Sequence, residues 1–118
     1  MNDLSVRLFD FSVKVLKFTS TLPRQPEYTV IRFQLAKCST SSGANYEEAQ
    51  AGSSRADFKN KSRISLREMR EANYWLRILG RMLYADDYKD ILYLINESEQ
   101  LKNILGLIVT KTNTRKST

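Results

Sequence analysis

The 118-residue sequence has no histidine, one cysteine, two prolines and four glycines. Each scarcity excludes something. A single cysteine, Cys38, leaves no intrachain disulfide to form. Without histidine there is no cysteine–histidine nucleophile. The Glu-x-x-His pairs of di-metal carboxylate bundles are missing for the same reason. So few glycines and prolines argue against a many-turned β fold and for long helices. No stretch reaches the ~18 apolar residues that a membrane span needs. Asp3, Arg7 and Asp10 interrupt the apolar run that a signal peptide would require, so a cytoplasmic location is expected. Neither a P-loop nor a dinucleotide fingerprint is present. Glu47, Glu48, Glu68 and Glu71 are acids that a bundle might bring together, but nothing in their spacing specifies a cleft. The expectation is a protein that is not an enzyme and uses no cofactor and no metal.

What is present is ordinary for a folded chain: 42% apolar and 27% charged residues. The length suits one domain with a real core. The formal charge is +6 and the pI about 9.6, which bears on partners, polyanions above all, and not on fold.

Four helices account for the pattern. In the first, residues 4–21, Leu4, Leu8, Phe11, Val15, Phe18 and Leu22 recur at helical spacing. Pro23 stops it, and Pro26 suits the first turn of the next. The second helix, residues 27–51, places Ile31, Leu35, Cys38, Ser42, Asn45 and Ala49 on one face. Its small stretch Ser41-Ser42-Gly43-Ala44 predicts a close approach to the third helix. Gly52 is expected just past the helix end, in a left-handed conformation. Ser54-Arg55-Ala56-Asp57 matches a capping box and opens the third helix, residues 55–84. Asp86 and Asp87 suit the start of the fourth, residues 87–111, whose apolar face is Ile91, Leu94, Ile95, Leu101, Leu105 and Ile108. Residues 112–118 read as a polar, disordered tail. Long helices with short connections predict an all-α, single-domain, antiparallel up-down four-helix bundle over residues 1–111.

The third helix has three faces. Phe58, Ser62, Ser65, Met69, Ala72, Leu76, Leu79 and Leu83 alternate steps of four and three, a heptad seam for the core. A second apolar stripe, Ile64, Trp75, Ile78 and Met82, lies about 110–120° around the helix. It reads either as a wide core face or as a subunit interface, where Trp and Met are enriched. The third face is basic: Arg55, Lys59, Arg63, Arg67, Arg70, Arg77 and Arg81 fall within an arc of about 120°. Residues 54–82 hold eight basic and three acidic side chains, a net of +5, while residues 86–111 hold three and five, a net of −2. The positive charge is therefore concentrated. Arginine forks match phosphate geometry, so the stripe points to nucleic acid; a merely solvated helix face is the plainer alternative.

The stretch 41–79 carries a specific set of residues: Gly43-Ala44-Asn45, Glu48-Ala49, Ser54, Asp57-Phe58, Lys61, Glu68, Glu71 and Tyr74-Trp75-Leu76. In that order and spacing it resembles the four-helix-bundle family encoded in intervening sequences of bacterial 23S rRNA genes. The resemblance implies a left-handed antiparallel bundle that assembles as a homopentamer. The accessory protein of diversity-generating retroelements is similar in design, a basic pentameric bundle that binds nucleic acid and a reverse transcriptase. Lys59 and Ser62 depart from the family pattern, standing where apolar residues are expected. The polar residues Asn45 and Glu48 are expected to meet Lys61 or a neighbouring arginine of the third helix, since buried polar groups need partners.

Two functions follow. One is an oligomer that binds the phosphate backbone of RNA or DNA through the arginine stripe, linked to rRNA, the ribosome or a retroelement. The other is a scaffold ring that docks a partner protein, a reverse transcriptase for example, with no physiological nucleic-acid ligand.

Overall fold

The computed structural model describes residues 2–52, 54–84 and 88–117. They form α1 (Asp3–Thr19), α2 (Pro26–Ala51), α3 (Arg55–Met82) and α4 (Asp90–Ser117), with no strand among the described residues. Asp86 and Asp87, expected to open the fourth helix, lie outside those residues.

Local signals set most helix ends. Asn2 caps α1, its side-chain oxygen accepting from the Ser5 N–H at 2.8 Å. From α2, Arg32 donates to the Thr19 and Leu22 carbonyls at 3.0 and 3.2 Å, satisfying oxygens that the end of α1 leaves without helical partners. Pro26 opens α2, and Ser54 caps α3 by accepting from the Asp57 N–H at 3.0 Å. Gly52 is not left-handed; its φ of −63° and ψ of 146° are extended. A Cβ there would meet the Asp57 carboxylate, the movable end of a side chain. α4 continues past residue 111. Thr112 is buried, its hydroxyl donating to the Ile108 carbonyl at 2.8 Å, and Asn113 accepts from Arg63 at 3.1 Å.

The helices pack as an up-down bundle. Each touches its neighbour in sequence, α1 closes on α4, and α2–α3 is the most extensive pairing. The body measures 50 × 24 × 19 Å. Its core follows the expected faces: Leu8, Phe11 and Val15 from α1, Met69, Ala72, Leu76 and Leu79 from α3, and Ile91, Leu94, Leu101 and Leu105 from α4. α2 departs by one residue near its end. Tyr46, not Asn45, is buried, and its hydroxyl accepts from Asn2 at 3.1 Å. Tyrosine supplies apolar bulk to the core and a polar tip that finds a partner at the edge.

The small stretch of α2 serves two neighbours. Ser42 faces α3 and is fully buried; Gly43 faces Leu8 and Ser12 of α1. A Cβ at Gly43 would meet them at 3.6 Å, an ordinary contact, so close approach does not demand glycine there. At the thinner α1–α4 seam, Arg7 grips Glu97 with two hydrogen bonds of 2.7 and 3.2 Å, a bidentate geometry that also sets helix register.

Candidate nucleic-acid interface

α3 is the element that positions the basic stripe. Its core seam fixes the helix's rotation, and the side facing away then carries the charge. Arg55, Arg63, Arg67, Arg70, Arg77 and Arg81 are all exposed; Lys59 is half-buried. Arg63 reaches Asn113 of α4. Arg67 lies 3.6 Å from Glu68 but is 72% exposed, a contact worth little in water. Arg77 is held most firmly. Its Nε donates to Asn73 Oδ1 at 2.9 Å, and its guanidinium sits 5.8 Å from the Tyr74 ring centre. Asn73 is itself buried and donates to Ser98 of α4 at 3.0 Å, so the Arg77 support reaches into the α3–α4 seam.

The stripe is one wall of a groove. Arg63, Arg67 and Arg70 on α3 face Lys102 and Asn103 on α4 across an open cleft of about 920 Å³. Gly106 also lines it, and a Cβ there would meet nothing within 4 Å. Leu66, Leu107 and Val109 add apolar surface. A second cleft of about 460 Å³ continues along the same α3/α4 face, lined by Tyr74, Arg77, Arg81 and Leu92 among others. The arrangement presents cations around concave surface. That suits a polyanion with an apolar part, as nucleotides have. Among the described residues no group of three or more His, Cys, Asp or Glu comes together to hold a metal ion, and no helix is long and apolar enough to cross a membrane.

The other expected residues are more dispersed. Trp75 and Ile78 are half-buried and pack against their own core, Ile64 is half-buried, and Met82 is exposed. Trp75 donates to Glu71 at 3.1 Å. Asn45 donates to the Ser41 carbonyl and hydroxyl at 2.9 and 3.1 Å, one turn back in its own helix. Glu48 is exposed and Lys61 half-buried. The α2–α3 polar link expected at Asn45 and Glu48 is instead a serine pair, Ser42 and Ser65. Lys102 and Gly106 were missed as site residues. Their signal in the sequence is one lysine and one glycine four residues apart on α4.

Fold and surface define a class: a four-helix bundle with a cationic cleft along one face. The chain belongs to the 23S rRNA-intervening sequence protein family, whose model matches residues 3–106. It is similar to a protein of unknown function from the S23 ribosomal protein family of Bacteroides thetaiotaomicron VPI-5482, solved as a crystal structure. The two share 31% identity and a TM-score of 0.76, over 91% of this chain and 95% of that one. No curated protein matches the chain.

Proposed function

We propose that this protein is a non-enzymatic, cytoplasmic nucleic-acid-binding bundle that takes the phosphate backbone of RNA or DNA in the α3/α4 cleft. One observation carries this: six exposed arginines on one side of α3, three of which share a cleft with Lys102. Phosphate contacts of this kind position a ligand without reading its bases, so affinity depends on salt more than on sequence. The family's name supports RNA as the first ligand to try. Self-assembly, with five copies implied by the sequence resemblance, would present several clefts to one polyanion and raise avidity. The test is a binding titration with structured RNA and duplex DNA at low and moderate salt. Arg63/Arg67/Arg70→Glu is expected to abolish binding with helicity and oligomer mass unchanged; retained affinity would remove this surface from the account.

A second reading draws on the apolar residues of the same face. Leu107 is 62% exposed and Leu92 65%. A partner protein, such as a reverse transcriptase, would cover them, with nucleic acid incidental. A protein that co-purifies through nuclease treatment, and is lost on Leu107→Asp, would favour that scaffold role.

A further inference from the structure

The basic stripe has an aromatic member. Its residues step along α3 by four or three, except between Arg70 and Arg77, and Tyr74 fills that gap. At about 100° per residue, Tyr74 falls inside the same arc as the arginines. It is 51% exposed, so the core does not claim it. Two neighbours hold its ring. Trp75 packs against it in a T-shaped contact, centroids 5.5 Å apart and planes at 73°. The Arg77 guanidinium sits 5.8 Å from its centre and is itself pinned by buried Asn73, which is bonded to Ser98 of α4. A ring oriented in advance has little freedom left to lose on binding.

Tyr74 is also a wall of the second cleft. There Ile78 of α3 and Leu92 and Ile95 of α4 supply apolar surface, and Arg77 and Arg81 supply charge. Its 460 Å³ lies within the range of small-molecule pockets, about 300–1,000 Å³. The first cleft, with Arg63, Arg67, Arg70 and Lys102, adjoins it along α3. Arg70 and Tyr74 are four residues apart, about 6 Å along the helix axis. Cations and an aromatic wall therefore share one groove. The acids nearby are engaged: Glu99 of α4 feels the charge of Arg77 but is bonded to Lys102 at 2.8 Å, and Glu71 accepts from the Trp75 indole at 3.1 Å.

We infer that the α3/α4 face takes unpaired nucleotides: phosphates seat on Arg63, Arg67, Arg70 and Lys102, and a base stacks on Tyr74 in the second cleft, beside Arg77. The reason is access. In a duplex, neighbouring bases cover each other's faces, and Tyr74 meets only backbone. In a single strand every base offers a π-face, so Tyr74 selects strandedness and not sequence. Charge alone predicts the reverse preference, because a duplex carries a charge every 1.7 Å or so and is the denser polyanion. The inference rests on the proposed function and goes beyond it by naming the form of the ligand.

The groove from Arg63 to Arg81 runs about 27 Å, some eight nucleotides at about 3.4 Å each, so a 12-nucleotide probe spans it. The test uses full-length protein and one unstructured RNA 12-mer, alone or annealed to its complement, at two salt concentrations. The single strand should bind more tightly than the duplex. Tyr74→Leu should weaken single-strand binding at least about fivefold, the loss of one stacked base. It should leave duplex affinity and the salt slope unchanged, since no charge is removed. Tyr74→Phe keeps the ring and should behave as wild type. Trp75, the sole tryptophan and in ring contact with Tyr74, should be quenched by the single strand and not by the duplex. A DNA 12-mer of the same sequence should bind alike, because stacking and phosphate contacts need no 2′-hydroxyl; refusal of DNA would overturn the inference. So would a duplex bound as tightly as the strand, or a Tyr74→Leu variant that loses nothing or loses equally on both. Duplex binding that is salt-dependent and lost in Arg63/Arg67/Arg70→Glu would then leave the proposed function standing without this subsite. No binding of either probe by wild type removes both.

Discussion

Ser42 of α2 and Ser65 of α3 exchange hydrogen bonds. The Ser42 hydroxyl donates to the Ser65 carbonyl at 2.8 Å, and the Ser65 hydroxyl donates to the Ser42 carbonyl at 2.7 Å. Both residues are fully buried. A side chain of one helix reaches the backbone of the other only where both side chains are short, so the pair fixes separation and register together. It accounts for the small residues in the middle of α2 without assigning them a ligand.

Removing either hydroxyl leaves one partner less satisfied in a dry seam. Ser42→Ala and Ser65→Ala are each expected to lower stability by about 1–2 kcal/mol. The double variant should lose less than the sum, because the two bonds act as one unit. Urea denaturation of the four-member cycle measures this, and strict additivity would contradict a coupled pair.

Ser62 makes the opposite case. It is fully buried on the same seam, and its hydroxyl has no hydrogen-bond partner. Ser62→Ala removes a desolvated polar group and leaves the helix a better helix former. It should raise stability by about 1 kcal/mol. A loss of that size in the same denaturation experiment would show that the hydroxyl is bonded in solution.

Two glycines sit in helix interiors where nothing requires them. A Cβ at Gly106 meets open space, and one at Gly43 meets ordinary contacts. Gly106→Ala and Gly43→Ala should each raise the melting temperature, reflecting about 0.5–1 kcal/mol of recovered backbone entropy. A fall for Gly43→Ala would mean that α1 lies closer to α2 than the 3.6 Å contacts allow.

Cys38 is buried, and burial, aided by the charges of Glu71 and Glu68, pushes its thiol from an ordinary 9.0 up to about 12. Below pH 9 the thiol is protonated in both states. Between about 9 and about 12 the unfolded chain ionises first, so its contribution to stability falls as pH rises through that window. Wild type should therefore lose more stability than Cys38→Ala between pH 8 and pH 10.5. Alkylation of native protein at pH 8 should proceed only as fast as the chain opens; rapid labelling would contradict the burial.

Much of this architecture was legible because three helices bury unmistakable apolar faces. Leu8–Phe11–Val15, Met69–Ala72–Leu76–Leu79 and Leu101–Leu105 are spaced for one side of a helix, and those residues fill the core. α2 was harder. Its buried face is built from Cys38, Ser42 and Tyr46, residues whose type does not announce burial, so Asn45 was placed one position away from Tyr46. Gly52 was misread because glycine after a helix ordinarily signals a left-handed turn, whereas here its backbone is extended. The stripe was legible as a line on one helix. The cleft was not, since it needs Lys102 from a second helix whose register a single sequence does not give.

The most direct test of the central claim puts Lys102→Glu beside wild type and Arg63/Arg67/Arg70→Glu in an RNA-binding titration across several salt concentrations. If the ligand lies in the cleft, Lys102→Glu weakens binding and lowers the slope of log affinity against log salt by about 1, and the triple variant leaves no binding. An unchanged Lys102→Glu titration, with the triple variant defective, would place the ligand on α3 alone and contradict the cleft; no salt-dependent binding by wild type would contradict the nucleic-acid function itself.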